Sequence, residues 1–242
     1  MRTIRYLAIL VVLSGCGGNA VKEQQVTPKI TNTEKPALAS DMHRHFDDIN
    51  AIQLALISGN LTQVRVLAQR IRVGFSGPVP SGWEPFIERS VVSAEMLSVV
   101  DDLGMAARVA SLMAGTCGDC HRNQNVVVVK HEAISPPHES DRFSDFMIQH
   151  RWAADRMWEG LIGPSDAAWL AGTQVLSTTP LTAEDLGERL ILNPAIEGLL
   201  VQIRKDGEAA SRALDAKGRQ ELYGSFLAGC AGCHQQMMNQ RD

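Results

Sequence analysis

A chain of 242 residues with 45% apolar side chains has enough material for one or two ordinary cores. Its 20 glycines and 10 prolines are too few for a low-complexity or disordered chain. With 23 basic and 27 acidic side chains the net charge is −4, and no basic patch stands out, which argues against nucleic acid as a partner.

The chain opens on a short basic stretch, Met1-Arg2-Thr3-Ile4-Arg5. The apolar run from Tyr6 to Leu13 is too short to span a bilayer, and the order of basic, apolar and small residues is that of an export signal. The ending Leu13-Ser14-Gly15-Cys16 resembles a bacterial lipobox. That resemblance implies removal of residues 1–15, lipidation of Cys16 and a lipid anchor on the periplasmic side of a membrane. Gly17, where inner-membrane retention often uses Asp, leans toward the outer membrane. The alternative is an ordinary signal peptide with a cysteine near its cut. Cleavage would leave 21 basic against 27 acidic side chains, a net of −6. Residues 16–40 read as a lipid-anchored flexible tether, in which Asn19–Ala39, with many Thr, Lys, Gln, Glu and Pro, has a reach of roughly 25 Å.

Apolar spacing of three and four then predicts helices over 41–57, 61–73, 84–101 and 105–122. Breaks fall at Gly59-Asn60, at Gly77-Pro78-Val79-Pro80-Ser81-Gly82 and at Asp102-Leu103-Gly104. Val126-Val127-Val128-Val129 favours an extended segment, and residues 126–143, with Pro136-Pro137, read as a linker. Four more helices are expected over 144–162, 166–177, 183–206 and 207–237. Asn193-Pro194 should kink or interrupt the third of these, and the last boundary is placed near residues 205–208.

The two sets of four are related. Residues 41–61 align with 146–166 at an offset of 105: Met42 falls on Met147, His45 on His150 and Ile57 on Ile162. Asn60 and Ser165 are equivalent and both suit an N-cap. The second set holds eight extra residues, assigned to a loop near Ser177-Thr178-Thr179-Pro180.

Each set ends in the same motif, Cys117-Gly118-Asp119-Cys120-His121 and Cys230-Ala231-Gly232-Cys233-His234, 113 residues apart. Cys-x-x-Cys-His is the attachment signature of c-type haem. On a helix, residues i, i+3 and i+4 share a face, so two thiols can bond one porphyrin edge while the histidine turns to the iron. Four of the five cysteines are thereby used, and the lipobox uses Cys16. A thioredoxin-like pair leaves the histidines unexplained, and a four-cysteine zinc site seldom has pairs so far apart.

A haem motif on the last of four helices resembles the cytochrome c′ type of class II c-type cytochromes, across residues 41–242. The resemblance implies an all-α chain of two tandem four-helix bundles, 41–125 and 144–242, each with a haem on its last helix. His121 and His234 would each give one axial ligand.

His45 and His150 lie on apolar helix faces with Met42, Ile49 and Leu56, and with Met147, Met157 and Leu161. They are the candidate sixth ligands, with Met42 and Met147 the competing choice and no sixth ligand the third. His43, two residues from His45, should point to solvent. His131 and His138 read as linker residues, and Trp83, Trp152, Trp158 and Trp169 as core anchors. The expected function is a membrane-tethered dihaem carrier passing electrons between redox proteins of the cell envelope. A peroxidase or small-molecule reductase, and a gas-binding protein, are rivals that need an open iron.

Overall fold

The computed structural model describes residues 35–74, 79–126, 135–137, 143–178, 194–213 and 215–239. Their regular structure is all helix, with no strand among them. The helices are α1 (Lys35–Ile57), α2 (Leu61–Gly74), α3 (Glu84–Val99), α4 (Leu103–Asn123), α5 (Phe143–Ile162), α6 (Asp166–Thr178), α7 (Pro194–Ala210) and α8 (Ala216–Asn239). No helix among the described residues is long and apolar enough to cross a membrane. The expected signal, Cys16, most of the expected tether, His131 and His138 lie outside them.

Local chemistry sets the helix ends. Gly59 takes φ +71°, a left-handed conformation that suits glycine and closes α1. One residue later the Asn60 side chain accepts from the Gln63 N–H at 3.0 Å, capping α2. Its repeat partner Ser165 accepts from the Ala168 N–H at 3.1 Å and caps α6. Asp102 accepts from the Met105 N–H at 2.6 Å at the start of α4.

The last boundary differs from expectation. α7 begins at Pro194, where a proline needs no N–H partner, and runs through 205–208 to Ala210. Gly207 does not break it, because a Cβ there would lie 3.2 Å from the Leu176 Cβ on α6: the glycine serves close packing. Asp206 is buried and bonded to Gln202 and Ser225, both at 2.8 Å. The break falls after Ala210, and before α8 Asp215 accepts from the Gly218 N–H at 2.6 Å. The part of the expected helix over 183–193 lies outside the described residues.

The helices pack in two cycles. In the first, α1 meets α2, α2 meets α3, α3 meets α4, and α4 returns to α1. In the second, α5, α6, α7 and α8 follow the same order. The cycles share a broad seam in which α4 lies along α8. The pair is antiparallel. A Cβ on Gly104 would approach Ala228, one on Gly224 would meet Arg108 and Ser111, and one on Gly115 would meet Gln220. Buried apolar side chains from all eight helices form one contiguous cluster across the seam.

The seam repeats itself under exchange of the two repeats. Trp158 Nε1 donates to Asn50 Oδ1 at 2.8 Å, and Gln53 Nε2 donates to Asp155 Oδ1 at 3.2 Å. The offset of 105 maps Asn50 onto Asp155 and Gln53 onto Trp158, so each contact is the image of the other. Ser111 and Gly224, equivalent at an offset of 113, touch one another where α4 and α8 cross. This is the self-complementary pattern of a two-fold dimer, built within one chain.

Candidate functional site

The first Cys-x-x-Cys-His motif occupies the last two turns of α4, and its side chains open on a cavity of about 410 Å³. α4 contributes Thr116, Cys117, Cys120 and His121. α1 contributes Met42, His43, His45, Phe46 and Ile49, and α3 with its N-cap adds Trp83, Phe86, Ile87 and Ser90. The remaining wall is Arg156, Glu159, Ile162 and Gly163, from α5 and the turn after it. The structure therefore brings His45 and Met42 to the same cavity as His121.

His121 is held in a defined orientation. Its Nδ1 lies 2.6 Å from the Ile162 carbonyl oxygen. A carbonyl only accepts, so Nδ1 carries the proton and donates, which leaves the Nε2 lone pair for a metal. A hydrogen bond of this kind on the far nitrogen is the usual support of a metal-binding histidine. Burial lowers the pKa of His121, opposed by the Ile162 bond and assisted by Arg122, and so favours the neutral ring. The bond is possible because α5 approaches α4 closely. A Cβ on Gly118 would lie 2.1 Å from the Leu161 carbonyl oxygen.

His45 is 5% exposed, and burial, followed by the Arg44 charge, lowers its pKa. Its ring packs on the end of α2, where a Cβ on Gly74 would come within 2.6 Å of His45 Cε1. Asp48, one turn along α1, is fixed by Arg70 of α2 at 2.7 Å. His43 is exposed, as expected, and also borders the cavity. Trp83, expected as a core anchor, is buried and forms part of the same wall. Trp158 and Trp169 are buried, with Trp169 Nε1 donating to the Ala210 carbonyl at 2.9 Å.

The second motif sits on α8. Cys230, Cys233 and His234 are partly buried, and burial lowers the His234 pKa. His150 is buried on α5. α8 packs against the end of α1 as α4 packs against the end of α5: a Cβ on Gly59 would meet Met238, Gln235 and Ala231. The pairing of His150 with His234 rests on the repeat.

None of the four cysteines among the described residues forms a disulfide. Burial pushes Cys117 up to about 12, Cys120 to about 11 and Cys230 to about 12, and it raises Cys233 as well. A redox-active dithiol needs the opposite shift. No three His, Cys, Asp or Glu side chains among the described residues converge as a bare-metal site. His121 and His234 each lie ten residues beyond the crossing of the antiparallel α4 and α8. At 1.5 Å per residue their backbones are about 30 Å apart.

Sequence reasoning missed the α5 contribution to the first site, Arg156, Glu159 and the Ile162 carbonyl, together with Gly118, which lets α5 approach, and Gly74, which leaves room for the His45 ring. Comparison with known proteins adds nothing to this picture: no family model, curated protein or solved structure matches the chain.

Proposed function

We propose that the chain is a dihaem c-type cytochrome that carries electrons between redox proteins of the cell envelope, held to a membrane through lipidated Cys16. The observation that supports this most is the first cavity: two thiols and an oriented imidazole on one face of α4, with a second buried imidazole, His45, on the α1 wall. Apolar walls and a volume of about 410 Å³ suit a cofactor pocket. Cys117 and Cys120 would hold the porphyrin by thioether bonds, and His121 Nε2 would face the iron. His45 would supply the second ligand, with Met42 as the alternative. Cys230, Cys233, His234 and His150 take the same roles in the second site, by the repeat.

Bound haem supplies a one-electron ferric/ferrous couple. The protein's part is to fix the axial ligands, exclude water and tune the potential. The two helix cycles are read as two four-helix bundles, each carrying one site. The separation of about 30 Å between the ligand backbones favours sites that meet external partners at opposite ends of the seam.

Optical spectra of the haem-loaded protein test the reading. Oxidised and reduced forms should be low-spin, and carbon monoxide should leave the reduced spectrum unchanged. A high-spin haem that takes up carbon monoxide would replace the carrier by an open-iron protein at that site, either a gas binder or a peroxidase or reductase.

A further inference from the structure

The wall that α5 gives the first cavity carries a charged pair in an otherwise mainly apolar lining. Arg156 is 9% exposed and forms an ion pair with Glu159, one turn on. Burial lowers the Arg156 pKa against the opposing charge of Asp155. A buried guanidinium is costly unless it is well paired. It also has five N–H donors in a rigid fork, more than one carboxylate can accept. The pair is no relic of the repeat, since the offset of 105 places Ala51 and Leu54 at the equivalent positions of α1. Something peculiar to the first site has put a cation there.

We propose that Arg156 is an anion-binding residue of the first site and pairs with a carboxylate of the porphyrin; this rests on the haem reading above. A porphyrin fixed to α4 by two thioethers on one edge carries its two carboxylates toward the opposite edge. The fork on α5 is matched to a carboxylate in geometry as well as charge. The arrangement makes the two haems inequivalent. A cation beside the first haem stabilises the ferrous state, which carries one positive charge fewer, and so raises that haem's potential.

The test is redox titration of the haem-loaded full chain with substitutions on α5, together with resonance Raman of the porphyrin carboxylate bending bands. Arg156→Gln should lower one of the two midpoint potentials, leave the other in place and shift the carboxylate band of one haem. Glu159→Gln should raise the potential of that same haem. Arg156→Lys, which keeps the charge and loses the fork, should retain the potential while the Raman band moves. Unchanged potentials and bands in Arg156→Gln, or both potentials moving together, would overturn the assignment. Should Arg156→Gln fail to fold, Arg156→Lys still tests the carboxylate band and Glu159→Gln the potential, and no change in either would overturn the assignment equally. A wild-type chain whose intact mass shows no attached porphyrin would overturn the haem reading itself, which is a different result from a haem-bearing chain indifferent to Arg156.

Discussion

Replacing Gly118 by alanine puts one methyl group between the first motif and α5. The new Cβ would sit 2.1 Å from the Leu161 carbonyl oxygen, where ordinary contact begins at 3.4 Å. The atom in the way is backbone, so no side-chain rotation relieves the clash, and α4 and the end of α5 must move apart. Overpacking of this kind costs about 1–3 kcal/mol. The movement also draws the Ile162 carbonyl from His121 Nδ1, now 2.6 Å away, a bond worth about 0.5–1.5 kcal/mol. Against this, alanine gains about 1 kcal/mol over glycine within a helix. The net expectation is a loss of about 0.5–3.5 kcal/mol. Gly198 on α7 is the control, because a Cβ there meets nothing within 4 Å, and Gly198→Ala should be neutral or stabilising by up to about 1 kcal/mol. Urea unfolding of the two variants measures both, and the haem-loaded spectrum should change at one haem in Gly118→Ala alone. Equal stability of the two variants, with wild-type spectra, would refute the close α4–α5 approach and the support it gives His121.

Other perturbations test other parts. Gly74→Ala should push the His45 ring, 2.6 Å from the new Cβ, out of place, converting one haem toward a five-coordinate, carbon-monoxide-binding spectrum, with less than about 1 kcal/mol change in urea stability. Tyr223→Phe removes a buried hydroxyl that accepts from Gln53 at 2.8 Å and donates to the Ala154 carbonyl at 3.1 Å, and should cost about 1–2 kcal/mol by denaturant unfolding. Burial raises the Asp206 pKa above its usual 3.8, against the Ser225 and Gln202 hydrogen bonds, so the folded chain holds this proton more tightly than the unfolded one. Its contribution is present below pH 3.8 and is lost as pH rises through the folded value; Asp206→Asn should remove that part of the stability–pH slope in a urea titration. His150→Ala should convert the spectrum of one haem and His45→Ala that of the other, read with carbon monoxide.

Much of the site could be read along the chain because its parts are local. Cys117, Cys120 and His121 share a helix face by spacing alone, and Asn60 and Ser165 declare helix starts by side-chain chemistry. His45 stood out because an apolar stripe runs through it and the repeat gives it a partner. What closes the first cavity is non-local. The α5 wall depends on how the two cycles meet, through Gly118 on Leu161 and Ser111 on Gly224, and neither contact leaves a periodic trace. Arg156 and Glu159 have only the one-turn spacing of any helical pair, and nothing in that spacing tells that α5 faces the cavity. The misplaced boundary at 205–208 has the same origin. Lys205-Asp206-Gly207-Glu208 looks like a polar break, yet Leu176 against Gly207 and the bonds of Asp206 carry the helix through it.

Two covalently attached haems, one on each motif, underlie the whole functional reading. The intact mass of the purified full chain, expressed in a host able to mature c-type cytochromes, decides whether they are there. The expected mass is that of the processed chain plus two porphyrins that survive acid extraction. It should fall to one porphyrin when Cys117 and Cys120 are replaced by alanine, and to one when Cys230 and Cys233 are. A chain that matures with no porphyrin, or keeps both after either pair is removed, would contradict the dihaem reading.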